Sequence, residues 1–353
     1  MRLGGPVGQC QGAWLAQAAV ENCCTFVTSG SLSGGLFVPI LTPMMYRYLV
    51  RLLLPVLVGW LALPASAAPR VNHVVVISLD GGRPAVIQES KMPSLQAVLA
   101  EGAHTWEART IFPSKTLPSH TSMLTGVGPA KHHVSWNSWQ PERGVVTVPT
   151  VFALAKAAGF STAMFVGKEK FRHLVQPGTV DDFVFPATNS AIVTKTVGDS
   201  PAKDDEPTVL AKFLAPHAAA YLKEKKPALC FIHFTDPDDV GHLFGWGSPE
   251  QQKAFADLDA ALGIILQAIR EAGMAGDTVV LVSADHGGHR KTHGLDIPED
   301  MIIPWIAWGK GVKQGFTIAA PVTTYDTAAT VLWLLDLPRP ADWDGQPVIS
   351  AFQ

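Results

Sequence analysis

The sequence is poor in cysteine, and most of its cysteines lie near the amino terminus. The chain has 353 residues and four cysteines, and only Cys230 lies outside the first 24 residues. A single thiol cannot form an intramolecular disulfide, so the body of the chain is not a disulfide-bonded scaffold. Cys230 lies in an apolar run, which favours a buried core thiol over a reactive one.

Charged residues are also scarce, and neither sign predominates. They make up 16% of the chain, hydrophobic residues make up 47%, and the formal net charge at pH 7 is -3. This composition is typical of a globular protein and not of a disordered one. Because the sequence contains no basic stripe, we expect no long nucleic acid as a partner.

An apolar segment in the first part of the chain has the pattern of a secretory signal peptide. Arg47 and Arg51 stand at its start, an apolar run follows at 52–63, and Ala-Ser-Ala at 65–67 is a small-residue cleavage site. The run is shorter than the roughly 20 apolar residues that a membrane span needs. We therefore interpret 44–68 as a signal peptide and expect no stable membrane span in the mature chain.

The residues before this segment have no place in a normal signal peptide. Residues 1–43 are rich in glycine, serine and cysteine and show no clear period. They are either a non-native extension, with translation starting at Met44 or Met45 instead of Met1, or a disordered amino-terminal extension. Residues 69–353 would then form one mature domain, which we expect to be periplasmic or secreted.

The mature region alternates short apolar runs with longer segments of helical pattern. Strands are predicted at 73–79, 105–112, 161–166, 228–234, 278–282 and 304–308. Helices are predicted at 93–102, 118–124, 151–158, 206–225, 251–272 and 326–335, with a loop at 236–242 and a polar surface insertion at 194–207. The alternation implies an α/β fold with a mostly parallel sheet covered by helices on both faces.

Three acidic clusters follow apolar strands of this predicted sheet. Asp80 follows the first strand, the segment 236–242 follows the fourth, and Asp285 with His286 follows the fifth. An isolated aspartate in such a position is more often a cap than a ligand. Ligands of parallel sheets bind beyond the carboxyl ends of the strands, so three clusters there indicate a common site. Carboxylate and imidazole ligands together suit zinc.

Four segments of the chain carry recognisable motifs. They are IFPSKTLPSH at 111–120, DPDDVGH at 236–242, SADHG at 283–287 and DTAATVLWLLDLP at 326–338. Together they resemble the nucleotide pyrophosphatase/phosphodiesterase family of the alkaline phosphatase superfamily, over about 71–338 and in the expected order. The resemblance implies an alkaline-phosphatase-like three-layer α/β/α sandwich that hydrolyses phosphate esters.

The resemblance also assigns roles to individual residues. Two groups of aspartate and histidine would each hold one Zn²⁺ ion: Asp80, Asp285 and His286 form the first group, and Asp238, His242 and His293 form the second. Thr116 would be the covalent nucleophile, also bridging toward the metals, and Asn137 would hold a phosphoryl oxygen. The implied substrate is a small phosphate diester or nucleotide-like molecule, attacked through a phosphothreonine intermediate.

Elementary chemistry supports these roles for Thr116 and Asn137. Coordination to a dication favours an alkoxide, just as it lowers the pKa of bound water from about 15.7 to about 7. Two metal ions roughly 4 Å apart can stabilise the attacking and leaving oxygens of a displacement. We expect Thr116 at a helix amino terminus, where backbone N–H groups favour a phosphoryl oxygen, and Asn137 would add a neutral donor.

Several neighbouring residues have competing interpretations. His289 competes with His293 as the third histidine ligand, and the Thr-His-Gly context favours His293. Asp236 and Asp239 are expected to orient a ligand or cap the loop. We interpret three further histidines as structural or supporting residues: His73, His120 and His233. Three lysines are either solvated surface residues or contacts to an anionic substrate: Lys115, Lys168 and Lys170.

Two departures from the family pattern bear on the substrate. Leu117 stands where the family commonly has an aromatic residue that stacks on a nucleotide base, and the segment 165–170 lacks the family's Trp-Pro-Gly pattern. A phosphomonoesterase of the same superfamily is the main alternative, while the neutral Asn137 suits a diester better. A sulfatase is disfavoured because Thr116 replaces the required cysteine or serine. A non-catalytic secreted binding protein predicts missing ligands, yet all the ligand positions are filled. The sequence does not indicate the oligomeric state.

Overall fold

The computed structural model describes residues 70–186, 192–193 and 207–353. The amino-terminal extension expected at 1–43 and the signal peptide predicted at 44–68 lie outside the described residues. Most of the surface insertion predicted at 194–207 also lies outside them. In the part of the chain that is described, no helix is both long and apolar enough to cross a membrane.

A mixed but mostly parallel sheet forms the centre of the described region. Its strands, with a separate two-stranded pair, are β1 His73–Leu79, β2 Ala103–Arg109, β3 Thr162–Val166, β4 Asp182–Val184, β5 Ile192–Val193, β6 Thr208–Val209, β7 Leu229–Phe234, β8 Thr278–Ser283, β9 Ile302–Gly309 and β10 Phe316–Thr317. Eight of them pair in the order β10-β2-β9-β8-β1-β7-β3-β4, and β5 pairs with β6. Within the eight-stranded sheet only β9 runs antiparallel to its neighbours.

Helices connect most of these strands and cover both faces of the sheet. They are α1 Pro84–Glu89, α2 Pro93–Glu101, α3 Thr116–Thr125, α4 Pro129–His132, α5 Val151–Ala157, α6 Ala211–Lys225, α7 Asp236–Phe244, α8 Pro249–Glu271, α9 Pro298–Met301 and α10 Asp326–Leu334. Short 3-10 turns occur at Pro141–Arg143, Glu169–Leu174, Ala275–Asp277 and Ile349–Ala351. The predicted α/β fold is confirmed.

The central strand β1 contributes to two separate hydrophobic clusters. Val74 and Val76 belong to one buried cluster together with Leu332 of α10. Val75 belongs to the other, together with Phe255 of α8. Successive strand residues point to opposite faces of a sheet, so a continuous apolar run is needed where helices cover both faces. This arrangement is the three-layer α/β/α sandwich.

Two predictions of secondary structure were wrong. The segment 236–242 is not a loop but most of α7, because Pro237 lies in the first turn, where its missing N–H is not needed. Three aspartates in that turn also suit the positive end of the helix dipole. The helix predicted from residue 206 begins only at Ala211, because Thr208 and Val209 pair with β5 as a short strand.

Candidate active site

Four neighbouring parallel strands end at one edge of the sheet, and each is followed by charged residues. These strands lie in the order β8-β1-β7-β3. Asp285 comes shortly after β8, Asp80 directly follows β1, α7 follows β7, and Lys168 comes shortly after β3. Because the carboxyl ends of parallel strands meet at the same edge, residues more than 200 positions apart converge there.

Asp80, Asp285 and His286 form the first group of candidate metal ligands. One ligand atom from each lies within 4.8 Å of the other two, and all three side chains are buried. His286 Nε2 lies 3.4 Å from Asp80 Oδ1 and 3.2 Å from Asp285 Oδ2. The turn that holds Asp80 is fixed by the Gly81 N–H, which donates to Asp285 Oδ1 at 3.2 Å.

Asp238, His242 and His293 form the second group, again with ligand atoms within 4.8 Å of one another. Asp238 and His242 lie one turn apart on α7, so their side chains project from the same face of the helix. Their closest contact is 3.4 Å, between Asp238 Oδ1 and His242 Nε2. The rings of His286 and His293 stack with centroids 3.6 Å apart, which brings the two groups side by side.

Each of the three histidines presents the same ring nitrogen to its group. Nδ1 of His242, His286 and His293 donates to a backbone carbonyl, of Lys291, Gly287 and Ser114 respectively, at 2.8–3.1 Å. A neutral imidazole whose Nδ1 carries the proton has a lone pair on Nε2. The same arrangement orients histidine ligands at metal sites, where the second nitrogen is held by a carbonyl.

The aspartates of the two groups each leave one oxygen unpaired. Asp80 Oδ1, Asp238 Oδ1 and Asp285 Oδ2 are buried and lack a hydrogen-bond partner among the described residues. These are the same oxygens that lie 3.2–3.4 Å from the histidine Nε2 atoms. Lone pairs of carboxylate and imidazole repel one another unless a cation lies between them. The residues therefore fit a pair of divalent cations such as Zn²⁺.

Burial and crowding separate the pKa values of these carboxyl groups. Burial, reinforced by the charges of Asp80 and Asp238, raises the pKa of Asp285 well above its ordinary value. Burial also acts to raise the pKa of Asp238, but Lys168 and His242 outweigh it and hold that pKa well below its ordinary value. The pKa of Asp80 is likewise lowered, because Lys168 and His233 outweigh burial and the charge of Asp238. Asp285 therefore releases its proton at a higher pH than an ordinary aspartate does, and a bound cation would favour its ionised form.

The hydroxyl of Thr116 lies beside the first group. Thr116 is the first residue within α3 and is 1% exposed, and Lys115 occupies the cap position before it. Its Oγ1 lies 3.5 Å from Nε2 of His286. Thr116 is therefore not the cap of the helix, and its hydroxyl faces the candidate ligands.

Asn137 reaches the same helix from a distant loop. The backbone N–H of Leu117 donates to Asn137 Oδ1 at 2.8 Å. A backbone N–H can only donate, so this bond fixes the carboxamide oxygen and leaves the Nδ2 donors to face elsewhere. The sequence analysis expected backbone N–H groups at the start of α3 to favour a phosphoryl oxygen. The Leu117 N–H, one of these groups, already donates to Asn137 and is not available for that role.

Lys168 has a role that the sequence analysis missed. It is 4% exposed, and its Nζ lies 2.6 Å from Asp80 Oδ2 and 2.6 Å from Asp238 Oδ2. Burial alone would lower the pKa of the ammonium, but Asp238 and Asp80 raise it well above the ordinary lysine value. Lys168 thus joins the two groups through their outer oxygens. Its position just beyond β3, at the edge where the acidic clusters stand, was the available signal.

Two buried histidines support the site from beneath. His233 Nε2 donates to Asp80 Oδ2 at 3.0 Å, so that oxygen is bound by both His233 and Lys168. His120 Nδ1 donates to the carbonyl of Thr116 at 2.8 Å, and its Nε2 accepts from the hydroxyl of Ser78 at 2.7 Å. His233 thus binds the candidate ligand Asp80 directly, and His120 binds the backbone of Thr116 and lies 3.5 Å from Asp285 Oδ2.

Other candidate residues have partners away from the ligand atoms. Nδ1 of His289 lies 2.7 Å from Asp300 Oδ1, whereas His293 lies within the second group. Asp236 accepts from the N–H of Ala211 at the start of α6, and burial raises its pKa to about 7. Asp239 Oδ2 accepts from the hydroxyl of Thr235. Lys170 Nζ donates to the carbonyl of Asn137.

Leu117 does not face the site. Its side chain is 0% exposed and belongs to the hydrophobic cluster on one face of the sheet. Position 117 therefore offers a substrate base neither the aromatic ring that is common in the family nor an accessible apolar side chain. Because α3 turns this side chain into the core, any contact to a base has to come from other residues.

Comparisons with known proteins relate most of this chain to one group of enzymes. The family model described as type I phosphodiesterase / nucleotide pyrophosphatase matches residues 74–297. Ectonucleotide pyrophosphatase/phosphodiesterase family member 3 of Mus musculus is 23% identical over 223 residues, which cover 61% of this chain and 24% of the mouse protein. Venom phosphodiesterase 2 of Crotalus adamanteus is 23% identical over 225 residues, covering 61% of this chain and 27% of the venom protein. The chain thus spans about a quarter of the length of these two relatives.

Solved structures show the same fold. Murine ectonucleotide pyrophosphatase/phosphodiesterase 5, an inactive variant in complex with AMP, superposes with a TM-score of 0.64 at 15% identity, covering 80% of this chain and 100% of that chain. A variant of alkaline phosphatase PafA superposes with a TM-score of 0.65 at 13% identity, covering 81% of this chain and 100% of that chain. The fold is therefore alkaline-phosphatase-like, as the sequence motifs predict.

Proposed function

Because the chain belongs to the type I phosphodiesterase / nucleotide pyrophosphatase family, we propose that it is a secreted hydrolase of phosphate esters that binds two Zn²⁺ ions and uses Thr116 as its nucleophile. One observation carries the proposal. The Thr116 hydroxyl lies 3.5 Å from His286 of the first three-residue group, and the second group stacks against the first through His293. Secretion rests on the signal peptide predicted at 44–68.

The two groups would divide the metal ions between them. One ion would be held by Asp80, Asp285 and His286, and the other by Asp238, His242 and His293. When bound, such ions supply Lewis acidity, which lowers the pKa of a nearby hydroxyl or water and stabilises negative charge on oxygen. The donor set of carboxylate and imidazole suits Zn²⁺ better than Mg²⁺ or Ca²⁺, which prefer oxygen ligands.

Thr116 would accept and then release the phosphoryl group. Its Oγ1 attacks phosphorus, the new Oγ1–P bond forms as the bond to the leaving oxygen breaks, and the hydroxyl proton leaves to solvent. A water molecule then attacks the phosphothreonine, and Thr116 regains a proton as the Oγ1–P bond breaks. Asn137 would donate from Nδ2 to a phosphoryl oxygen, because its Oδ1 is anchored by Leu117.

The substrate we propose is a small phosphate diester, including nucleotide-like diesters. The neutral donor of Asn137 suits the single negative charge of a diester. One relative is named as a venom phosphodiesterase, which supports a diester substrate. One solved relative is in complex with AMP, which supports a nucleotide-like molecule.

A phosphomonoesterase is the second candidate, and Lys168 is the observation that favours it. An ammonium buried between Asp80 and Asp238 adds positive charge to the site that holds the two candidate ligand groups. A dianionic monoester gains more from such a charge than a monoanionic diester does. Rates on bis-p-nitrophenyl phosphate and p-nitrophenyl phosphate, measured as kcat/KM on zinc-loaded protein, distinguish the two. A clear preference for the monoester would reverse our order of candidates.

Substitution of the nucleophile tests the covalent step. We expect Thr116→Ala to lose turnover of both substrates while keeping the zinc content of the parent, because the threonine hydroxyl is not needed to complete either three-residue group. Thr116→Ser is the matched control, because it keeps the hydroxyl and should retain measurable turnover. Quenched reactions of the parent should yield a protein heavier by one phosphoryl group with the monoester, and by one p-nitrophenyl phosphoryl group with the diester. Parent-like turnover in Thr116→Ala would exclude covalent catalysis by this residue.

A further inference from the structure

The indole of Trp246 lies where the segments that carry the candidate ligands meet. Trp246 follows α7, and its side chain is 8% exposed. Its backbone N–H donates to the carbonyl of Arg290 at 2.7 Å, on the segment that leads to His293. An indole N–H is a donor only and cannot bind a metal ion, so its contribution has to come from what the ring contacts.

The first contact is with the turn after β1. Nε1 of Trp246 donates a hydrogen bond of 3.0 Å to the carbonyl of Gly81, directly after the ligand Asp80. The N–H of the same glycine donates to Asp285 Oδ1 at 3.2 Å. The indole therefore binds Gly81, the residue that follows Asp80 in the chain and whose N–H binds Asp285.

Two further segments rest directly against the ring because they carry glycine. A Cβ added at Gly241, beside His242, would lie 2.9 Å from Cε3 of Trp246. A Cβ added at Gly288, two residues after His286, would lie 2.1 Å from Cε2. Real Cβ atoms do not approach other atoms so closely, so only glycine lets these two backbones reach the indole.

The ring also contacts two ligands of the second group. Its centroid lies 5.2 Å from that of His242 at an interplanar angle of 88°, and 5.9 Å from that of His293 at 60°. Edge-to-face contacts of this kind are favourable and depend on ring orientation. Since Nδ1 of each histidine is bound to a carbonyl, the indole restricts the remaining tilt of the two imidazoles.

We propose that Trp246 is a positioning residue that sets the spacing of the two metal-binding groups. The proposal rests on the proposed function, because it takes the six candidate ligands to bind Zn²⁺. One rigid side chain contacts the turn after Asp80, the face of α7 and the segment after His286. Without it, these three segments lose a contact that they share. Loss of support around metal ligands typically weakens metal binding by about 10- to 100-fold.

Trp246→Phe, compared with Trp308→Phe, tests the proposal. The two tryptophans are matched, since both are 8% exposed and each Nε1 donates one hydrogen bond of 3.0 Å, from Trp308 to Glu101. Zn²⁺ affinity is measured by competition with a chelator, and ligand geometry by the visible absorption of the Co²⁺-loaded protein. We expect Trp246→Phe to bind Zn²⁺ about 10- to 100-fold more weakly and to change the Co²⁺ spectrum, and Trp308→Phe to do neither.

Gly241→Ala provides a second variant in case Trp246→Phe does not fold. Alanine is a better helix former than glycine, so this change favours α7 itself, while its Cβ would lie 2.9 Å from the indole and 2.7 Å from Gln251 Nε2. We expect weaker Zn²⁺ binding again. The double variant with Trp246→Phe should lose less affinity than the sum of the two single changes, because both act through one contact.

The possible outcomes separate this inference from the proposed function. A parent protein that binds neither Zn²⁺ nor Co²⁺ would overturn both. A parent that binds them, with Trp246→Phe matching it in affinity and Co²⁺ spectrum, would overturn only the role of Trp246. Equal losses of melting temperature in Trp246→Phe and Trp308→Phe, with unchanged metal affinity, would mark an ordinary core residue and also overturn it.

Discussion

Replacing Lys168 by methionine would remove the cation that the two ligand groups share. The Nζ atom lies 2.6 Å from the outer oxygen of Asp80 and 2.6 Å from that of Asp238, and the three side chains are buried. Methionine keeps an unbranched, flexible stem without the charge. Removing one partner of a buried ion pair costs about 3–5 kcal/mol, because the other charge is left uncompensated.

The loss of stability in Lys168→Met should depend on whether metal ions are bound. A change of 1 kcal/mol shifts the melting temperature of a large domain by about 2–4 °C, so metal-free Lys168→Met should melt about 6–20 °C below the metal-free parent. In the zinc-loaded proteins the ions neutralise Asp80 and Asp238 themselves, and the difference should be smaller.

The loss of stability caused by Lys168→Met should also grow with pH. In the parent, Lys168 lowers the pKa of Asp80 and Asp238. Their ionised forms therefore stabilise the fold above about pH 4 and lose this effect only as the pH falls through the folded pKa values. In the variant, burial acts unopposed by the ammonium and raises both pKa values. The folded variant then binds protons more tightly than the unfolded chain, so its stability falls as the pH rises.

Calorimetry of the metal-free proteins at pH 5 and pH 8 checks this reasoning. The difference in melting temperature between parent and Lys168→Met should be larger at pH 8. Lys168→Arg is the control, because it keeps the charge, and any cost of packing the larger guanidinium should be the same at both pH values. If metal-free Lys168→Met melts with the parent at both pH values, the ion pair contributes nothing to stability and our account of Lys168 is wrong.

Two further predictions concern the phosphoryl donor and the protonated ligand. Asn137→Ala should lower kcat by about 10²- to 10³-fold with unchanged zinc content, the usual loss when one preorganised donor is removed, and an unaltered kcat in steady-state assays would contradict its proposed role. The raised pKa of Asp285 means that the metal-free protein holds a proton which Zn²⁺ must displace, so Zn²⁺ affinity should rise with pH below that pKa. Calorimetric titrations in buffers of different ionisation enthalpy should detect this released proton in the parent and not in Asp285→Asn. The variant should also bind the metal more weakly. Equal proton release from both proteins would assign the proton to another group.

The positions of the strands along the chain and the candidate metal-binding clusters could be recognised in the sequence for a simple reason. Strands that are buried on both faces are apolar at most positions, so the apolar residues that dominate 73–79 predict β1. A charged residue directly after such a run is at the strand end and not in the core, which identified Asp80 and Asp285. Because the carboxyl ends of parallel strands share one edge, residues far apart in sequence could be assigned to one site.

The sequence was less informative where a residue's surroundings override its usual behaviour. A lysine is normally solvated, so nothing local indicates that Lys168 is buried, and its charge is tolerated only because two carboxylates from other strands surround it. Leu117 lies beside the candidate nucleophile in the sequence, and only the structure shows that α3 turns its side chain into the core.

Trp246 shows the same limit, since its contacts with Gly81, Gly241 and Gly288 join segments that no spacing rule connects. By itself, the sequence determined the α/β fold and which side chains could act as ligands, because both follow from local polarity and strand order. Only the tertiary structure decided which charges neutralise one another and which ring supports the ligands, because those depend on distances between segments that the chain brings together when it folds.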